Sequence, residues 1–223
     1  MLKADNLSYS RDGRQIFSGI NFDVKNGTCL FIEGQNGSGK TTLLRLLAGL
    51  LPTKEGTLIF NGSNISANHD LIAQNIDYIG HLNATKDQMT AWDNLSLWNS
   101  LYEPDQRIDL TSKFEDPMLI NDFKNKPISF CSAGQIRRIA LSRLSTSKKK
   151  IWLLDEPMAS LDKNALSSLK SMIGKHCLNG GIAIITTHDN IGIPKIKSKS
   201  IKLKQSISTP KSINADPFLD GEW

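Results

Sequence analysis

Short apolar–polar alternations fill the start of the chain, at Leu2 to Tyr9, Gln15 to Phe17, Ile20 to Val24 and Thr28 to Ile32. Asp12-Gly13 and Asn26-Gly27 separate them as turn signals. A period of two predicts half-buried strands, here a β-meander leading into Thr28-Cys29-Leu30-Phe31-Ile32-Glu33. Thr42 to Ala48 is a good helix former that ends near Gly49, and Pro52 blocks its continuation. Gly56 to Gly62 reads as a strand and tight turn, and Ile76 to His81 as a short strand end. From about Thr90 to Ser147 the pattern is mostly helical, with breaks at Pro104, Pro117 and Pro127. Trp92, Leu95, Leu97, Trp98 and Leu101 recur at near-helical spacing, which assigns them to the core; an exposed part could instead dock a partner helix.

Ile151 to Leu154 and Ile182 to Thr187 are continuous apolar runs of the kind buried on both faces of a parallel sheet. Alternation of such strands with helices predicts an α/β core. Lys195, Lys197, Lys199, Lys202 and Lys204 then alternate with Ile, Ser and Leu. They read as an edge strand whose lysines prevent sheet-to-sheet pairing; contact with anionic lipid headgroups is the alternative. Residues 205–223 are polar and read as a loose, flexible C-terminal tail.

Between the fourth predicted strand and the first helix stands Gly34-Gln35-Asn36-Gly37-Ser38-Gly39-Lys40-Thr41. Two glycines four residues apart, then Lys and Thr, in a strand–turn–helix setting, form a phosphate loop. Glycines let the backbone aim successive N–H groups at an anion, and the helix N-terminus adds donors and partial positive charge. Lys40 is expected to reach the β- and γ-phosphates, and the Thr41 hydroxyl to ligate Mg2+; Gln35, Asn36, Ser38 and Thr42 complete the expected ATP contacts. Tyr9 could stack on an adenine face or pack across strands, and the sequence leaves both open.

Composition adds limits. The chain has 223 residues, net charge +5 and ordinary apolar and charged fractions, enough for one large domain or a domain with a subdomain. The mild positive charge is compatible with lipid, nucleic acid or nucleotide and selects none. No run of about 20 apolar residues exists, and the N-terminus lacks signal-peptide character. Cys29, Cys131 and Cys177 are scattered and odd in number, so they read as reduced thiols.

Hydrolysis at a phosphate loop needs a carboxylate for the Mg2+ shell and a base for water. Asp155-Glu156, at the end of a buried strand, supplies both: Asp155 for Mg2+, Glu156 to polarise the attacking water. The order of motifs resembles the ATP-binding subunits of ABC transporters along residues 1–204. Ser132-Ala133-Gly134-Gln135 looks like that family's signature, with Cys131 and Ala133 replacing the usual Leu and Gly. Ser160-Leu161-Asp162 resembles its D-loop and His188 its switch histidine, which would orient the γ-phosphate and the water. The resemblance implies a P-loop ABC-type nucleotide-binding domain with an N-terminal antiparallel β-subdomain and an inserted α-helical subdomain, roughly residues 82–147. It also implies a homodimer, in which Ser132 and Gly134 of one copy face the γ-phosphate on the other.

One position departs from the family. Where a Gln normally serves Mg2+ and the link to the membrane subunit, this chain has Gly80-His81, and imidazole is a poor Mg2+ ligand. Tyr78-Ile79-Gly80-His81 and Ser-Ala-Gly-Gln followed by Arg137-Arg138 are similar to one subfamily, the ATP-binding subunits of the cytochrome c maturation haem exporter. That similarity implies an integral membrane partner, a haem-handling membrane protein, a haem chaperone and a place on the cytoplasmic face of the inner membrane, or the matrix side in an organelle. Rivals are an ABC ATPase with another cargo, a soluble ABC-type ATPase acting on nucleic acid or ribosomes, and a module that no longer hydrolyses. Only about ninety residues without sustained heptads separate Lys40 from Ser132, which disfavours the second. The expectation is therefore of no nucleic-acid partner. Lys40, Asp155, Glu156 and His188 argue against the third.

Overall fold

The computed structural model describes residues 1–66, 68–102, 109–110, 114–187 and 192–204. His188 and the 205–223 tail lie outside the described residues.

Two sheets carry the chain. β1 (Leu2–Arg11) and β2 (Arg14–Val24) form an antiparallel hairpin; β4 (Glu55–Phe60) and β5 (Ser63–Asn64) extend it in the order β2-β1-β4-β5. The expected meander ends at this hairpin. β3 (Thr28–Glu33) leaves for a second, parallel sheet, and β4 takes the place beside β1. Burial gives the reason: Cys29 to Ile32 are buried on both faces, a demand that a one-sided sheet cannot meet. Gln15–Phe17 and Ile20–Val24 are also one strand, not two. Gly19, at φ 61, donates its N–H to Ser8 Oγ at 3.1 Å, where the β1–β2 register is irregular. This glycine makes a bulge rather than a turn.

The second sheet runs β6-β7-β8-β3-β9, all parallel, with β6 (Ile76–Ile79), β7 (Ile151–Asp155), β8 (Ile182–Thr187) and β9 (Lys197–Lys202). Strand alternation splits its side chains between two cores. Leu30, Ile32, Leu153 and Ile184 join one core with α1 (Lys40–Leu47) and the antiparallel sheet. Phe31, Trp152, Leu154 and Ile185 join the other with α3 (Ala91–Ser100), α4 (Ala133–Ser142) and α5 (Lys163–Leu178). α2 (His69–Asn75) leads directly into β6. β9 is the sheet edge, its lysines exposed, and Lys199 pairs with Asp23 at 2.8 Å.

The stretch from 90 to 147 is less helical than its pattern. Among the described residues, α-helix is confined there to α3 and α4, with 3-10 turns at Asn121–Phe123, Ile128–Phe130 and Arg143–Thr146. Of the expected breaks, Pro104 lies outside the described residues, Pro117 sits in a turn and Pro127 precedes a 3-10 turn. Asn94, fully buried, accepts from Lys86 N–H at 2.7 Å and donates to Thr90 O at 2.9 Å, fixing the entry to α3. Along the α3 stripe, Leu95 and Trp98 are core and Leu101 is 74% exposed.

Candidate functional site

The phosphate loop joins β3 to α1. Gly39 caps the helix at φ 96, and no side chain caps the first turn, so its N–H groups stay available to an anion. A Cβ at Gly39 would meet Ile16 Cγ2 at 2.9 Å; the loop is pressed onto β2, and only glycine fits there. Gln35, Asn36 and Gly37 are exposed, Gly34, Thr41 and Thr42 half-buried, and Ser38 and Lys40 buried. Lys40 Nζ donates to Gly34 O at 2.7 Å and Gln35 O at 3.3 Å, and lies 3.9 Å from Glu156 Oε1. Its charge is therefore parked on the loop's own carbonyls, beside an acid.

That acid and Asp155 stand at the carboxyl end of β7, with β8 between β7 and β3. Thr186 on β8 is the residue the sequence reading missed. Its hydroxyl donates to Asp155 Oδ1 at 2.7 Å and accepts Glu156 N–H at 2.8 Å. A polar side chain within the otherwise apolar Ile182–Ile185 run and its continuation was the available signal. Glu156 has φ 46, a left-handed conformation unusual for a non-glycine residue. Asp155 Oδ2 and Ser38 Oγ are buried without a hydrogen-bond partner. A buried, orphaned carboxylate oxygen suits a hard divalent cation and its waters, so Asp155 fits Mg2+.

The signature residues sit at the start of α4. Ser132 Oγ accepts from Gln135 N–H at 3.3 Å, and Gln135 Oε1 accepts from Ser132 N–H at 2.9 Å, a reciprocal cap. Ser132 and Ala133 are exposed. A Cβ on Gly134 would come 2.8 Å from Ser160 O, which explains why the alanine is tolerated at 133 and the glycine kept at 134. Asp162, exposed, caps α5 by accepting from Ala165 N–H at 2.8 Å. The signature thus packs on the Ser160–Asp162 turn, while Lys40, Asp155 and Glu156 gather at the phosphate loop.

Tyr9 pairs with Phe17 across the hairpin, ring centroids 6.2 Å apart, and stays half-buried. His81 is exposed and lines a cleft of about 250 Å³ with Arg45, Leu50, Tyr78, Leu82 and Arg143. A larger cleft, about 580 Å³, lies at the other end of β7 between Lys148–Lys150 and α5, so size alone points away from the phosphate loop. The sequence reading placed Arg137 on the signature helix without a role. It is 4% exposed, and its guanidinium reaches carbonyls of both β6 and β7 ends.

The ABC transporter family pattern matches residues 17–159, which hold the phosphate loop, the signature and both carboxylates. The chain is 36% identical over 203 residues to the cytochrome c biogenesis ATP-binding export protein CcmA of Vibrio vulnificus, covering 91% of this chain and 99% of that one. The protein of the same name from Dechloromonas aromatica is 36% identical, with 91% and 100% covered. In structure, the chain resembles the ATP-binding cassette MJ0796, solved as a post-hydrolysis dimer with ADP and Pi, at TM-score 0.77 and 22% identity, covering 92% and 94%. The chain belongs to the ABC transporter family, as an ATP-binding subunit with ATPase activity.

Proposed function

We propose that this subunit powers a haem exporter of c-type cytochrome biogenesis, working at the cytoplasmic face of the inner membrane or its organellar equivalent. Residues 1–204 form its ATP-binding domain. Two copies pair, and they act on a CcmB-like integral membrane subunit together with a haem-handling membrane protein and a haem chaperone. One observation carries the cargo: the similarity to relatives named as cytochrome c biogenesis export proteins runs along nearly the whole of both chains. The cleft beside His81 is the surface we assign to the membrane subunit.

The chemistry follows from the residues at the phosphate loop. Loop and helix N–H groups hold the β- and γ-phosphates. Lys40 exchanges Gly34 O and Gln35 O for phosphate oxygens, which releases Glu156 from its ion pair. Glu156 then orients a water and accepts its proton as the water attacks the γ-phosphorus and ADP departs. Positioned base catalysis of this kind contributes about 10²–10⁴ in rate. Asp155 and Thr41 would hold Mg2+, which offsets the charge on the phosphate oxygens when bound. Ser132 and Gly134 of the second copy present their helix N-terminus to the same γ-phosphate, Asp162 lies at the pair interface, Tyr9 faces the adenine, and His188 assists the water.

The test is the full chain carrying Lys40→Ala, expressed in its own cell in place of the wild type. Covalent haem staining of c-type cytochromes should disappear while b-type haem proteins remain and the variant still co-purifies with membranes. Normal c-type maturation in that strain overturns the haem reading and leaves an ABC ATPase with a different cargo.

A further inference from the structure

Arg137 lies on the buried side of α4. Its guanidinium is among the most heavily used groups in the chain. Nε donates to Pro157 O at 3.4 Å. Nη2 donates to Asp155 O at 2.9 Å and Glu156 O at 3.1 Å. Nη1 donates to Gly80 O at 2.8 Å and Asn83 Oδ1 at 3.1 Å. One buried, planar cation thus binds the ends of two neighbouring parallel strands, whose terminal carbonyls have no strand partner beyond them.

The two sides of this clamp differ in kind. On one side is Glu156, held at both of its peptide groups. Its N–H is fixed by Thr186 Oγ1 at 2.8 Å and its carbonyl by Arg137. These anchors hold a residue whose φ of 46 is otherwise unfavourable, and they set where its carboxylate points. On the other side, the same nitrogen, Nη1, serves Gly80 and Asn83, the residues that bracket His81 and Leu82. Leu82 is 81% exposed and His81 exposed, in the loop that carries an unusual residue for this family. Just past α4, Arg143 opens a 3-10 turn, donates to Tyr78 O and lies over the Trp98 ring at 5.6 Å. Arg137 on α4 and Arg143 in the turn that follows it therefore both hold the end of β6, and of the two Arg137 also holds Glu156.

We infer that Arg137 is a positioning residue that ties the 80–83 loop to the backbone of Glu156, so that displacement of this loop re-aims the carboxylate. The inference rests on the base role proposed for Glu156. It assigns to Arg137, in a chain with histidine at the loop's usual glutamine position, the link between that loop and hydrolysis. Lysine cannot replace it, because an ammonium cannot span carbonyls on two strands with five directed donors.

The experiment uses the purified full chain and measures ATP affinity by titration, steady-state turnover and thermal melting for Arg137→Lys, Asn83→Ala, the double variant and Glu156→Gln. Misaiming a reacting group by about 1 Å lowers rate about 10²-fold. Arg137→Lys should therefore reduce kcat about 10- to 100-fold while ATP affinity stays within about twofold. Asn83→Ala, which removes only the loop's side-chain acceptor, should lower kcat several-fold, and the double variant should be no slower than Arg137→Lys alone. Arg137→Lys with unchanged kcat overturns the inference, as do additive effects in the double variant or equal losses of affinity and kcat. If Arg137→Lys fails to fold, Asn83→Ala decides: unchanged turnover refutes the link. Glu156→Gln separates the two readings. If it leaves turnover intact, the base role fails; if it abolishes turnover while Arg137→Lys leaves kcat unchanged, only the positioning role fails.

Discussion

Replacing Thr186 with Val tests whether a single hydroxyl holds the two acids in place. Thr186 is fully buried and Asp155 1% exposed. The hydroxyl donates to Asp155 Oδ1 at 2.7 Å and accepts from Glu156 N–H at 2.8 Å. A hydrogen bond to a charged group contributes about 1.5–3 kcal/mol, and a buried amide left unpaired costs about 1–3 kcal/mol. Valine keeps the β-branched shape that the strand favours, so little packing is lost. The Asp155 carboxylate, whose other oxygen already lacks a partner, would then have neither oxygen bonded by Thr186. The expected loss is about 3–5 kcal/mol, a large part of a typical stability of about 5–15 kcal/mol. In a chain of 223 residues that lowers Tm by about 10 °C. Urea unfolding measures it, with Thr186→Ser as the control. Serine keeps the hydroxyl and loses one methyl, so it should cost only about 1 kcal/mol. A Thr186→Val protein within about 1 kcal/mol of wild type refutes the reasoning, as does a Ser variant that is equally damaged.

Two further outcomes follow from the same geometry. His176 stacks on Trp152 at 3.8 Å between ring centroids, and burial pushes its imidazole down from 6.5 to about 4. The unfolded chain therefore binds the proton first as pH falls. The stability due to neutral His176 is complete above about pH 6.5 and is lost towards pH 4, by up to about 3 kcal/mol. His176→Phe should flatten this slope in urea midpoints measured from pH 7.5 to 4.5; parallel curves for the two proteins would contradict the assignment. Glu156→Gln should retain ATP binding, lose turnover and accumulate as an ATP-bound dimer on size-exclusion chromatography, because an amide cannot take the water's proton; turnover at the wild-type rate would sink the base role.

Much of this protein is legible from local pattern, because some elements depend only on neighbours in the chain. The phosphate loop needs glycines and a following helix within eight consecutive positions, Gly34 to Thr41. Ile151–Leu154 and Ile182–Ile185 announce burial on both faces by themselves, and Ser132 with Gln135 spells out its own cap. The rest depended on strand order. β3 and β8 lie far apart in the chain, yet their pairing sets Thr186 between the phosphate loop and Asp155. Gln15–Phe17 and Ile20–Val24 read as two strands until Ser8 binds Gly19 N–H and joins them as one. Arg137 is one basic residue in a signature helix until β6 and β7 end side by side and turn five acceptors toward it. Alternation and spacing determine which residues are buried and which can cap; only the packed sheet decides which distant polar groups meet, since a buried hydroxyl or guanidinium acquires its role from the unpaired atoms that the tertiary fold brings within hydrogen-bond distance of it.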